Sequence, residues 1–105
     1  MTVWIEACSA DSIEEEDLIR FDYEGHVYAI YRSPEDEYFA TDGLCTHEYV
    51  QLEDGLVMGE TIECPKHNGV FNYKTGEAMG APVCVNLKIY PVMLKNGLVF
   101  IDVAA

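Results

Sequence analysis

The chain has 105 residues, with 6 basic against 19 acidic side chains and a formal charge of −13 at neutral pH. That length suits one domain, 1–105, with a single core, and the 50% apolar content excludes an acidic disordered tail. The charge argues against nucleic acid and membrane surfaces as partners, because phosphate and anionic lipid both require clustered Lys and Arg.

The N-terminal Met1-Thr2-Val3-Trp4-Ile5-Glu6 has no basic region and no long apolar stretch, so it does not read as a secretory signal. No segment approaches the ~20 apolar residues of a membrane helix, and the expected compartment is cytoplasmic. Val3 to Cys8 reads as an opening strand. The acidic stretch 11–17 reads as a solvated loop or a single helical turn. From Leu18 the period is two, with Ile19, Phe21 and Tyr23 alternating with Arg20 and Asp22. Glu24-Gly25 turns the chain into a return strand from His26 to Tyr31, and Ser33-Pro34-Glu35-Asp36 leads to a third strand at 37–41. Near the other end, Leu87 to Leu94 reads as a strand with Pro91 inside it, hence edge-like or bulged. Asn96-Gly97 then supplies a two-residue hairpin turn before a last strand from Leu98 to Val103.

The middle is different. Residues 42–82 hold six of the eight glycines, two of the four prolines and two of the three histidines. They read as a loop-rich insertion on a β platform, where sites tend to sit. It contains Cys45-Thr46-His47 and Cys64-Pro65-Lys66-His67, with sixteen residues between the two motifs. Two thiolates and two imidazoles fit either a structural Cys2His2 zinc module or a [2Fe–2S] cluster with two cysteines on one iron and two histidines on the other. With one residue between them, Cys45 and His47 in an extended loop point to opposite sides, which favours the cluster. The step from Cys64 to His67 does not discriminate. Cys8 is expected to be a buried structural thiol and Cys84 a packing residue. His26 reads as a surface or strand residue, while Trp4 and the tyrosines read as core and cross-strand packing.

Cys-x-His, sixteen residues, then Cys-x-x-His resembles the signature of Rieske proteins, and the whole chain is similar to a small Rieske-type ferredoxin. Gly80-Ala81-Pro82 resembles the family's proline loop, and the terminal hairpin its base domain. The resemblance implies an all-β fold: an antiparallel β-sandwich base domain with a loop-rich cluster-binding subdomain inserted at approximately 42–83. It implies that Cys45 and Cys64 hold a buried iron, while His47 and His67 hold an outer one at the tip. Two departures stand out. Neither ligand loop carries the extra cysteine of the disulfide-linked respiratory type, and Gly69 and Phe71 replace the hydroxyl residues that donate to sulfur there.

Two ferric ions, two sulfides and two thiolates sum to zero charge with neutral imidazoles, so histidine ligation raises the potential over a four-cysteine cluster. Missing sulfur hydrogen bonds lower it again, toward about −150 mV. The resemblance thus implies a one-electron carrier with no catalytic residues of its own. It would be a monomer taking electrons from a flavin-dependent NAD(P)H ferredoxin reductase and passing them to a terminal oxygenase that hydroxylates aromatic rings. A small Rieske subunit of another reductase or demethylase system shares the chemistry but not the partner. Lys66, Glu48 and Tyr49 flank the tip and would shape docking.

Overall fold

The computed structural model describes residues 1–66, 68–80 and 85–105. In chain order the strands are β1 (Trp4–Ser9), β2 (Asp17–Tyr23), β3 (His26–Arg32), β4 (Tyr38–Asp42), β5 (Leu56–Met58), β6 (Thr61–Glu63), β7 (Val70–Asn72), β8 (Ile89–Tyr90), β9 (Val92–Lys95) and β10 (Leu98–Asp102). They form three antiparallel sheets, with orders β1-β10-β9, β2-β3-β4-β8 and β5-β6-β7. Both expected hairpins are present. Glu24-Gly25 and Asn96-Gly97 each place two successive residues at positive φ, the conformation whose twist matches flanking antiparallel strands.

The sheet β2-β3-β4-β8 lies between the other two, and β3 shows why. Tyr28 and Ile30 point to one side, where they pack with Ile13, Ala40, Tyr90, Val99 and Ile101 against the base sheet β1-β10-β9. Ala29 and Tyr31 point to the other, where they join Val57, Ile62, Phe71 and Tyr73 from the small sheet β5-β6-β7 and its flanks. A strand covered on both faces has no solvent side, so its buried residues run without interruption from Tyr28 to Tyr31. Tyr31 and Tyr73 stack across the second layer with ring centroids 4.6 Å apart and planes 5° from parallel. Burying each side chain of this size contributes roughly 1.5–3 kcal/mol.

Four expectations are corrected in detail. Residues 87–94 do not form one strand: Tyr90 ends β8 in the central sheet and Val92 begins β9 in the base sheet. Pro91 between them has no N–H for a ladder, and its carbonyl accepts the Asp102 N–H at 3.0 Å, so the chain changes layers there. Trp4 is exposed rather than packed in the core. Cys8 is half-buried, at the point where the β1–β10 register slips. The acidic stretch opens on a short 3-10 turn at Ala10–Ser12, but the fully buried Ile13 anchors it to the base core. Among the described residues no helix is long and apolar enough to cross a membrane.

Candidate metal centre

The loops after β4 and β6 meet beside the small sheet, and each is pinned at its root. Gly43 donates its N–H to the Val27 carbonyl at 2.8 Å and accepts from Leu52 at 2.9 Å, so the first loop leaves and rejoins the platform at one place. Inside it, Cys45 N–H donates to Val50 O at 2.9 Å, and Tyr49 N–H donates back to Cys45 O at 2.7 Å. This is a tight turn, with Tyr49 at φ 56°, and not the extended loop expected from sequence. The side chains still separate: Cys45 is 1% exposed, whereas the His47 side chain is 37% exposed. In the second loop Cys64 N–H donates to Gly69 O at 2.6 Å, and Asn68 takes the left-handed conformation at φ 55°.

Cys64 is also 1% exposed and lies in side-chain hydrogen-bond contact with Cys45. The two thiols share an apolar floor with Leu52, Val57, Ile62, Phe71 and Leu87. His67 lies outside the described residues, as do Ala81 and Pro82 of the proline loop and Cys84. Thr46 Oγ1 donates to Val85 O at 2.7 Å, which fastens the first loop to the chain beyond that segment.

Burial pushes the Cys64 thiol above the ordinary range; the adjacent Cys45 adds to the shift, and a backbone hydrogen bond from Lys66 opposes it. Two thiolates side by side in an apolar pocket repel each other and lose hydration, so this pair stays protonated unless a cation neutralises it. A ferric ion does so, and the thiol pair therefore fits the buried half of an iron–sulfur site.

Among the described residues, the hydroxyls of Tyr31 and Tyr73, the two buried tyrosines of this core, bond to oxygen and not to sulfur. Thr41 donates its hydroxyl to Asp42 O at 2.7 Å, so Tyr31 O–H donates to Thr41 Oγ1 at 2.9 Å. Tyr73 O–H donates to the Gly59 carbonyl. Phe71, fully buried, has no hydroxyl, and Gly69 has no side chain.

His26 is a strand residue, as expected, held by Asp42 with Nε2 2.6 Å from Oδ1 and by Tyr90 at 3.3 Å. Reading the sequence did not anticipate that Glu48 and Lys66 would meet across the two loops, at 2.6 Å. Their opposite charges, one on each ligand loop, were the available signal.

Residues 3–91 match the Rieske [2Fe-2S] domain family. The ferredoxin component of a naphthalene 1,2-dioxygenase system from Pseudomonas putida is 46% identical over 105 residues, covering 99% of this chain and all of that one. Among solved structures, a ferredoxin from Sphingomonas yanoikuyae B1 matches with a TM-score of 0.89 at 36% identity, covering 95% of this chain and 98% of that one. A chain in the complex of reduced oxygenase and oxidized ferredoxin in carbazole 1,9a-dioxygenase matches with a TM-score of 0.90 at 34% identity, covering 95% and 93%. With a family match over most of its length and full-length relatives of the same kind, the chain belongs to the Rieske [2Fe-2S] domain family, and its cofactor is a Rieske-type [2Fe–2S] cluster.

Proposed function

We propose that this protein is the ferredoxin of a multicomponent aromatic-ring dioxygenase system, with Cys45 and Cys64 on one iron and His47 and His67 on the other. When bound, the cluster supplies a centre that accepts and releases one electron. The observation that carries this reading is the polarity of the site: two thiols in contact on an apolar floor, with His47, two residues after Cys45, exposed. The apolar wall keeps water from the thiolate side, and the His47 face is where a partner approaches. Tyr49, beside it and 73% exposed, offers apolar contact area to that partner.

The relatives named as ferredoxin components, and the carbazole complex that pairs a ferredoxin with an oxygenase, support a terminal oxygenase as the acceptor. The donor is a flavin-dependent NAD(P)H ferredoxin reductase, by the same system logic. The chain works as a monomeric single domain in the cytoplasm, and its potential lies toward the low end of the Rieske range because Gly69 and Phe71 give sulfur no hydroxyl donor. The test is to purify the protein from iron-replete cells and measure its visible and paramagnetic spectra, then follow NADH-driven reduction through a reductase and reoxidation by an oxygenase. A red-brown protein with a rhombic reduced signal and turnover in both directions is expected. A colourless protein carrying stoichiometric zinc refutes the reading.

A further inference from the structure

Neither ligand loop carries a cysteine beyond its proposed ligand, so no disulfide joins 45–50 to 64–69. Among the described residues, the backbone hydrogen bonds within each loop stay within that loop: Cys45 with Val50 and Tyr49, Cys64 with Gly69. Charge does what the backbone does not. Lys66 on the second loop places Nζ 2.6 Å from Glu48 Oε2 on the first, while Glu48 Oε1 lies 3.9 Å from His47 Nε2. The pair stands at the surface: Glu48, one residue after His47, is 33% exposed and Lys66, two residues after Cys64, is 56% exposed.

We propose that Glu48 and Lys66 are a positioning pair, an ionic clamp across the mouth of the site that holds the two ligand loops together and sets the charge beside His47. The inference rests on the ligand assignment above. A cluster with ligands divided between two loops is lost when the loops part, and parting here must first break a charge-assisted hydrogen bond. Exposed ion pairs are individually weak, which bounds the effect at roughly two- to fivefold in the opening equilibrium. The clamp also changes the electrostatics of the tip. In a chain of net charge −13, it leaves the surface beside His47 locally balanced, where Glu48 alone would add one more negative charge.

The experiment uses the full-length protein loaded with its cluster. Glu48→Gln, Lys66→Met, the double variant and the reversed pair Glu48→Lys/Lys66→Glu are compared in two measurements. The first is the rate at which visible absorbance disappears under a chelator. Each single substitution is expected to speed loss roughly two- to fivefold, the double to be no worse than either single, and the reversed pair to recover the parent rate. Raising the ionic strength should erase the difference between parent and singles. The second measurement is the midpoint potential. Removing a negative charge (Glu48→Gln) should raise it and removing a positive one (Lys66→Met) should lower it, although both variants lose the cluster faster. Mere loosening of the loops would move both potentials the same way. Singles that keep the cluster as long as the parent, or losses that simply add in the double variant, overturn the clamp. A parent chain that binds no cluster overturns the ligand assignment, and the clamp with it.

Discussion

Gly55 sits where the first ligand loop enters β5, opposite the residue that precedes Cys64. A Cβ placed on it would lie 2.2 Å from the Glu63 carbonyl oxygen and 3.1 Å from that of Leu52. Real Cβ contacts essentially never fall below 3.0 Å, so Gly55→Ala must push the backbones of residue 55 and Glu63 apart by at least 0.8 Å. The backbone of Gly55 itself, at φ −89° and ψ −168°, is one that alanine adopts freely, so the whole penalty is steric. Overpacking against a fixed backbone costs about 1–3 kcal/mol. For a domain of this size that is a fall in Tm of roughly 4–20 °C. Because Glu63 adjoins Cys64, the displaced carbonyl also shifts the second ligand loop, and cluster loss should accelerate with the loss of stability. Gly25→Ala is the matched control. It carries φ +78° with nothing within 4 Å of the added Cβ, so it costs about 1 kcal/mol of backbone strain without a steric clash. Thermal melts and chelator-challenge bleaching of both variants decide the matter. If Gly55→Ala melts and bleaches no faster than Gly25→Ala, the close approach is not what fixes the second loop.

Gly69→Ser combined with Phe71→Tyr should raise the midpoint potential by about 40 mV for each hydroxyl that reaches sulfur, as read by voltammetry. Tyr31→Phe removes a donor from Thr41 and should lower stability by about 1 kcal/mol in denaturant titrations, while the potential stays put because that hydroxyl is bonded to Thr41 and not to sulfur. In the protein stripped of iron, burial, with the adjacent Cys45 adding to it, pushes the Cys64 thiol up from the ordinary 9.0 to about 11. The folded state then binds the proton more tightly than the unfolded one above pH 9, so stability should fall as pH rises from about 9 to about 11. Denaturation of the iron-free chain at several pH values checks this, and a flat profile would contradict it.

The electrostatic reading of the tip changes once side chains are placed. Sequence alone makes Glu48 one of three residues that flank the tip and would shape docking. The structure pairs it with Lys66, so its carboxylate faces an ammonium on the second loop. Glu35, Glu37 and Glu60 surround Lys74 at 3.5–3.6 Å, three carboxylates against one ammonium, and leave that surface negative. Attraction of that negative surface to a basic partner would be screened by salt.

The hairpins were legible in the sequence because the conformations at Glu24-Gly25 and Asn96-Gly97 are local preferences, satisfied before any tertiary contact forms. The family was legible for a related reason: the Cys-x-His and Cys-x-x-His spacing depends on residue type and short range alone. Alternation could not say which sheet each face of β3 would meet, because Tyr28 and Ile30 are chemically as suited to one core as Ala29 and Tyr31 are to the other. Nor could local pattern show that Pro91 carries the chain from one layer to the next, since a proline in a strand also suits an edge or a bulge. Burial of Cys45 beside Cys64 and the meeting of Glu48 with Lys66 join residues 18 or 19 positions apart. Such contacts are decided by how the three sheets stack, and stacking is set by the total apolar area each layer can cover rather than by any local signal. The sequence by itself determined the family and the turns. Only the tertiary structure decided that Cys45 and Cys64 are sealed from water side by side and that Glu48 meets Lys66 beside His47, because these contacts join residues that are distant in the chain.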